Sequence, residues 1–282
     1  MHNPQRSQKI AFFLLFLATL LIVIPVGLIV VIIIQKGLPA INWQFLSDIP
    51  RQGMRAGGIF PAIIGTLYLV IGAIIFALPI GLLAAIYLSE YAKDNIINRI
   101  IRLAIVNLSG VPSVVYGLFG LALFVVFLKF GASILSGSLT LGIMILPIII
   151  TTSREALESV PQSFREVSLS LGASKWQTIR HIVLPNAIPG ILTGTILGLG
   201  RAAGETAPIL FTVAAFYLPR LPKSIFDQAM ALPYHLYVIS TQVPNVDEKV
   251  RYGTALVLLF LVLFMNLIAI IIRYNFRKKK KW

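Results

Sequence analysis

Long apolar runs, separated by short stretches that carry the charged residues, dominate the chain. Uncharged windows cover residues 10–35, 56–89, 103–128, 130–153, 181–200 and 252–272. An α-helix needs about 20 apolar residues to cross about 30 Å of hydrocarbon, and each of these windows is long enough. We therefore predict an all-α, polytopic integral membrane protein with one transmembrane domain over residues 1–282 and six spans, at about 10–35, 60–89, 103–128, 131–153, 182–216 and 252–272.

The first apolar run follows Arg6 and Lys9, an arrangement that a secretory signal peptide also has. The run is longer than the 7 to 15 residues typical of a signal peptide, and no small-residue cleavage site follows it. We therefore expect an uncleaved first span.

The composition excludes several classes of protein. Apolar residues make up 57% of the chain and charged residues 12%, against roughly 25% charged residues in soluble domains. There are no cysteines, and the three histidines are far apart, which argues against disulfides, thiolate metal sites and a histidine metal cluster. The net charge of +14 fits the basic cytoplasmic flanks of membrane helices, so we expect lipid and not nucleic acid as the partner of these residues.

Basic residues are unevenly divided between the two sides of the predicted spans. If the spans alternate, 15 of the 24 Lys and Arg residues lie on the side of the N terminus. The positive-inside rule then places both termini in the cytoplasm and makes the number of spans even. We interpret the basic run 277–281 as a topology anchor near anionic headgroups, with a regulatory role as the alternative.

The loop between the fourth and fifth spans, residues 154–181, carries helix signals of its own. Ser163 and Glu166 have the spacing of a capping box, which predicts a helix start. Gly172 is suited to the positive φ that ends a helix, and a second short helix is expected to begin near Ser174. The pattern predicts a helix, glycine, helix projection on the cytoplasmic side.

This loop resembles the loop motif of ABC importer permeases, which reads Glu-Ala-Ala, three residues, Gly, nine residues, Ile-x-Leu-Pro. Here Glu166 and Gly172 have that spacing and Ile182-Val-Leu-Pro185 closes it, while Val167 and Ser168 replace the alanines. The resemblance implies a type I ABC importer permease fold whose loop docks in a groove of a separate ATPase subunit. The residues that it assigns to ATPase coupling are Glu166, Gly172, Ala173, Ser174, Lys175 and Trp176.

Four further stretches resemble PstA-type permease subunits of high-affinity phosphate importers. They are residues 57–66, 109–117, 200–210 and 231–237, which read GGIFPAIIGT, SGVPSVVYG, GRAAGETAPIL and ALPYHLY. The resemblance implies a PstC-like second permease, two PstB-like ATPases that hold ATP and Mg, and an extracytoplasmic PstS-like phosphate-binding protein, in the plasma (inner) membrane of a prokaryote. This chain would bind no cofactor itself, and inorganic phosphate would pass Arg201, Glu205 and Thr206.

Arg201 and Glu205 also point to an anion on physical grounds. They are four residues apart, so on a helix they share a face and can pair, and they interrupt an apolar stretch over residues 182–218. An intramembrane arginine costs roughly 2.5 to 3.5 kcal/mol, which favours a pathway or a partner, and guanidinium binds phosphate as a bidentate fork. The alternatives are a salt bridge that locks two helices and an arginine that reaches the interface from a helix end.

Three other functions compete with phosphate import. An enzyme is disfavoured because the chain has no G-x-S-x-G motif and no Gly-Lys dipeptide, so it has no P-loop. A stand-alone channel or secondary transporter would leave the loop motif without a role. A type I importer permease for another small solute stays open, because the loop motif is shared by importers of many substrates.

Overall fold

The computed structural model describes residues 4–278, and the predicted all-α class is confirmed. Lys279, Lys280 and Lys281 of the basic run lie outside the described residues. The helices are α1 Pro4–Gly37, α2 Trp43–Ser47, α3 Phe60–Ile86, α4 Ile96–Ser109, α5 Ser113–Gly120, α6 Ile134–Glu158, α7 Gln162–Ser170, α8 Lys175–Thr178, α9 Leu184–Gly204, α10 Ala207–Thr212, α11 Leu232–Thr241 and α12 Glu248–Lys278. Wider π-helical turns extend α3 over Tyr87–Tyr91 and α5 over Leu121–Phe127, and Ile179–Val183 joins α8 to α9. Two short strands, β1 Pro50–Arg51 and β2 Ala56–Gly57, form an antiparallel hairpin.

Within the described residues, five helices are long and apolar enough to cross a membrane. They are Ala11–Ala40, Phe60–Tyr91, Ile134–Glu158, Lys175–Gly204 and Glu248–Lys278. A sixth span arises if Ile96–Ser109 and Ser113–Phe127, which are bent by 101°, count as one. This pair differs from the single third span predicted over 103–128, both in its earlier start and in the sharpness of its bend. Pro112 explains the break, because proline disfavours helical backbone at the preceding residue and has no N–H to donate.

The fifth span also differs from its prediction over 182–216. Its helix begins at Lys175 and ends at Gly204, and α10 is a separate short helix. Glu205 has extended backbone, with ψ of 138°, and Pro208 cannot donate the N–H that a continuous helix would need at that position. The loop predicted over residues 154–181 is also shorter in the structure. Helix α6 continues to Glu158 at one end, and the helix of the fifth span begins at Lys175 at the other.

Helices α3, α6 and α9 form the centre of the bundle. The buried side of α6 carries Leu141, Ile145 and Ile149, which are fully buried. Glycine makes the contact between helices close: Gly194 of α9 lies directly against Thr152 of α6. Small residues at such positions let helix backbones approach each other, which is the main source of packing energy between helices in lipid.

One end of the bundle, called the hairpin end, carries the β1–β2 hairpin and the loop 213–231. Tyr217 Oη donates to the Pro50 carbonyl at 3.1 Å, which joins the loop to the hairpin. Asp227 Oδ2 accepts from the backbone N–H of Lys223 and Ser224, and these hydrogen bonds lower the pKa of Asp227. The opposite end, called the loop end, carries α7, α8 and the turn between α3 and α4.

Helix α1 stands apart from the rest of the bundle. In its apolar segment no residue is buried by the chain. It meets α12 near its C-terminal end, where Gly37 packs on the backbone of Tyr252 and Lys36 Nζ lies 2.8 Å from Glu248 Oε1. The bundle is therefore formed by α3 to α12, with α1 attached at the hairpin end.

Candidate functional site

Arg201 and Glu205 lie together where α9 ends. Arg201 is in the last turn of α9, and Glu205 is the first residue after the helix. Arg201 Nε lies 3.4 Å from Glu205 Oε1, and the two side chains are 28% and 19% exposed. Thr206 precedes α10 and is partly buried. The predicted pairing is present, although Glu205 reaches Arg201 from extended backbone and not from a continuous helix.

The register of α9 against α6 gives the depth of this pair. Gly190 lies beside Ala156, Gly194 beside Thr152, and Gly198 beside Ile145. Arg201, one turn further along, is therefore level with the part of α6 between about Leu141 and Ile145, inside a helix of 25 residues. The pair therefore lies at the end of α9 but level with the interior of α6, a candidate membrane span, and not with either end of α6.

Helix α5 packs against the same helix break. Gly117 lies against the Ala207 carbonyl and Pro208 at the start of α10. The neighbouring Tyr116 is buried and donates from Oη to the Leu108 carbonyl at 2.7 Å. The sequence reasoning did not single out Tyr116, although it lies in one of the four stretches that resemble phosphate permeases.

The geometry leaves much of the Arg201 guanidinium available. Glu205 engages Nε at 3.4 Å, which is longer than the 2.7 to 2.9 Å of a strong charge-assisted hydrogen bond. On the described part of the chain, the terminal nitrogens of this guanidinium have no hydrogen-bond partner. A partly exposed, weakly paired arginine at this depth can bind an anion that approaches from water.

The loop end contains the predicted helix, glycine, helix arrangement with one correction. The predicted capping box of Ser163 and Glu166 is wrong, because α7 already begins at residue 162 after Pro161 and has no side-chain cap. The capping box is instead at the start of α8. There the backbone N–H of Ser174 donates to Gln177 Oε1 at 2.7 Å, and Ser174 Oγ accepts from Gln177 N–H. Gly172, between the helices, has φ of 83°, as its position predicted.

An apolar patch covers the outside of this loop. Val167, Leu171 and Trp176 are 61%, 83% and 48% exposed. Ser168 points the other way, where its hydroxyl lies 2.9 Å from that of Thr178 and holds α7 to α8. The other residues assigned to coupling lie on the same loop: Glu166, Ser174 and Lys175 are exposed, and Ala173 is half-buried. Exposed apolar patches of this kind mark sites of protein interaction.

A buried ion pair attaches the loop to the bundle. Arg165 Nη2 of α7 lies 2.7 Å from Glu90 Oε1 in the last turn of α3, and the side chains are 12% and 7% exposed. The same guanidinium donates to the carbonyls of Leu157 and Val160 at the end of α6. Arg165 therefore fixes α7 to two spans, a contact that sequence reasoning missed because its partners are 75 residues apart.

Comparison with known protein families identifies the family to which this chain belongs. Residues 77–282 match the family described as “Binding-protein-dependent transport system inner membrane component”. The chain belongs to this family. It is a multi-pass inner membrane permease component of an ABC transporter, and not a catalytic subunit. A permease of this family works with an ATPase and a binding protein, as the resemblance in the loop implied.

Several relatives are similar to this permease over most of its length. The probable ABC transporter permease protein YqgI of Bacillus subtilis is 35% identical over 89% of this chain and 90% of its own. The phosphate transport system permease protein PstA 1 of Mycobacterium tuberculosis is 33% identical over 98% of this chain and 90% of its own. The probable phosphate transport system permease protein PstA of Methanocaldococcus jannaschii is 34% identical over 92% of each chain.

Solved structures share the fold. An inward-facing conformation of the MetNI methionine ABC transporter has a TM-score of 0.57 at 16% identity, and covers 78% of this chain and 94% of that one. A bacterial ABC transporter involved in alginate import has a TM-score of 0.57 at 17% identity, with 94% and 96% covered. These likenesses confirm the predicted ABC importer permease fold.

We expect Glu90→Ala to lower the melting temperature of the purified permease strongly. The change leaves the Arg165 guanidinium buried without a counter-charge, which costs about 3–5 kcal/mol. Glu248→Ala is the matched control, because the Lys36–Glu248 pair has a similar N–O distance of 2.8 Å but side chains that are 49% and 64% exposed. An exposed pair contributes little to stability. The melting temperatures of both variants are measured in detergent. Equal decreases for Glu90→Ala and Glu248→Ala would contradict the structural role of Arg165.

Proposed function

We propose that this chain is the permease subunit of an ATP-driven phosphate importer and that Arg201 contacts the anion in transit. The observation that carries the proposal is the weakly paired Arg201 guanidinium beside a helix break, level with the interior of the candidate span α6. A guanidinium matches phosphate geometry through paired N–H donors. The names of relatives at 33% and 34% identity, phosphate transport system permeases, point the same way.

Glu205 gives the anion a way to leave. A lone arginine in a low-dielectric site would hold phosphate too tightly for transport, because charge interactions strengthen as water is excluded. Glu205 lies within reach of the same guanidinium and competes with the anion for it. The pair can therefore alternate between an internal salt bridge and an anion contact as the helices move, with Thr206 offering a hydroxyl at the break.

The assembly follows from the same proposal. A PstC-like permease would close the other side of the path, a PstS-like binding protein would deliver phosphate at the hairpin end, and two PstB-like ATPases would dock at the loop end. The exposed patch of Val167, Leu171 and Trp176 supports the last of these contacts. ATP and Mg would then be held by the ATPases, and no cofactor by this chain.

A permease for another small solute is the second candidate. The relative YqgI, at 35% identity, is named as a probable ABC transporter permease without a substrate. The uptake measurements described below also separate the two candidates, since they use phosphate itself.

For orientation, we propose that the loop end faces the cytoplasm with both termini. Reporter fusions at Asp48 and Asn245, at the hairpin end, are expected to report the outside, and fusions at Asp94 and Lys175 the inside. The expectation rests on the excess of basic residues at the loop end. An outside signal at Lys175 would contradict this orientation and the docking of an ATPase there.

Gly172→Asp is expected to abolish ATPase binding while the permease still inserts in the membrane. The residue has φ of 83° and open space around it, so the substitution strains the turn and places a charge next to the apolar patch. Gly53→Asp is the matched control, because Gly53 has φ of 64° and open space at the opposite end. Copurification of the ATPase with each variant is the measurement, and normal binding to Gly172→Asp would contradict the role of the loop.

Arg201→Lys is expected to reduce phosphate uptake per folded complex by about 10- to 100-fold. Lysine keeps the charge but loses the fork, and hydrogen bonds to a charged group contribute about 1.5–3 kcal/mol. Glu205→Gln keeps the shape and removes the competing charge, so it is expected to change turnover more than assembly. Arg273→Lys serves as a control, because Arg273 is a partly buried arginine that donates to Thr193 Oγ1 at 3.1 Å, away from the break.

Uptake of labelled phosphate is normalised to the amount of folded complex. If Arg201 only locks helices, its variants will lower the amount of complex and leave uptake per complex normal. Normal specific uptake in both Arg201→Lys and Arg201→Ala would therefore contradict the anion contact.

A further inference from the structure

The bend between α4 and α5 exposes polar groups in an unusual place. The two helices meet at 101° around Gly110 and Pro112, and we call residues 107–113 the elbow. Asn107, Ser109, Gly110 and Pro112 are exposed, and Ser113 is partly exposed. The elbow therefore presents amide, hydroxyl and backbone groups on a surface that the chain itself does not cover.

Contacts with α6 locate the elbow along the length of that candidate span. Before it, Arg102 lines a small cavity with Thr151 and Arg154 of α6. After it, Gly120 packs against Thr140 of α6. Both contact points lie within the 25-residue helix α6, so the elbow lies between them, at about the level of Arg201.

The polar side chains and irregular backbone of the elbow are unsuited to contact with lipid acyl chains. Ser109 Oγ and Tyr116 Oη satisfy the carbonyls of Val106 and Leu108, at 2.6 and 2.7 Å. The N–H groups of Gly110 and Val111 donate to carbonyls of α4, and that of Val115 donates to the Pro112 carbonyl at 3.0 Å. The N–H groups of Ser113 and Val114 are left at the start of α5, where no side chain caps the helix. Unpaired backbone groups cost several kcal/mol each in hydrocarbon, so irregular backbone at this depth is found where protein covers it or where water reaches it.

The elbow and the Arg201 break lie on the same side of the bundle. Tyr116 hydrogen-bonds to the elbow, and the next residue, Gly117, lies against the Ala207 carbonyl two residues after Glu205. Two helix breaks with exposed polar groups thus face one region. Water can reach the groups that the chain leaves unpaired at both breaks, whereas a dry protein contact would need a separate partner for each of them.

We propose that the elbow lines the water-filled path of the importer, with Asn107, Ser109 and Ser113 facing the passing solute. Tyr116 is a positioning residue that holds the elbow against the Arg201 break. The inference rests on the permease function of the chain, and it holds whether the solute is phosphate or another molecule.

The absence of cysteine from the chain makes the test direct. Ser109→Cys and Ser113→Cys are introduced singly, and the assembled complex in membrane vesicles is treated with a negatively charged methanethiosulfonate reagent. Thr19→Cys is the matched control, because Thr19 is also an exposed hydroxyl residue bonded to a carbonyl of its own helix, but lies within the continuous helix α1. Labelling of this chain is followed by mass spectrometry, without nucleotide and with ATP trapped by vanadate.

We expect both elbow cysteines to react at least tenfold faster than Thr19→Cys, and their rates to change severalfold on trapping, because a transport path opens to alternate sides. Rates as slow as that of Thr19→Cys would overturn the proposal, since the elbow would then be dry. Fast labelling that trapping leaves unchanged would also overturn it, because a static crevice is not a path. Phosphate is added in a separate arm: fast, state-dependent labelling without phosphate protection would support the path and contradict phosphate as the solute.

Discussion

Hydrocarbon offers no hydrogen-bond partner to a peptide group, and most of this structure follows from that constraint. Long helices such as α3 and α6 satisfy their backbone internally and can then be placed against each other through glycine contacts. Departures from continuous helix at membrane depth are energetically costly. The two described here, after Gly204 and around Pro112, lie next to each other and beside an ionisable pair, so the cost is concentrated where a permease needs polar groups.

Two ion pairs of the bundle, Arg165–Glu90 and Arg201–Glu205, differ in length and in exposure. At the loop end, Arg165 is buried against Glu90 and two carbonyls, which makes α7 a rigid extension of α3 and α6. At the end of α9, Arg201 has a longer and more exposed contact with Glu205. The Arg165–Glu90 pair suits the transfer of a movement from the loop to the spans, because a short bidentate ion pair holds α7 in a fixed position relative to α3. The Arg201–Glu205 pair is weaker, and its guanidinium can therefore exchange the carboxylate for another anion.

The sequence predicted most of the fold, because the lengths of the apolar windows determine where helices can span. It also predicted the Arg201–Glu205 contact and the positive φ of Gly172, since both depend on residues a few positions apart. The sharpness of the bend at Pro112 was not predicted, because a proline within an uncharged window is compatible with a slight kink or with a sharp turn. The Arg165–Glu90 pair was out of reach for another reason: nothing local indicates a contact over 75 residues.

The isolation of helix α1 has a consequence for the order of biosynthesis. Lys36 meets its partner Glu248 212 residues later in the chain, so at about 5–20 residues per second the ribosome needs about 10–40 s to make the helix on which α1 packs. Throughout that interval α1 has to remain stable in lipid without its final neighbour. Its apolar segment, in which the chain fully buries no residue, meets that requirement, because acyl chains can cover most of this helix before assembly as well as after it.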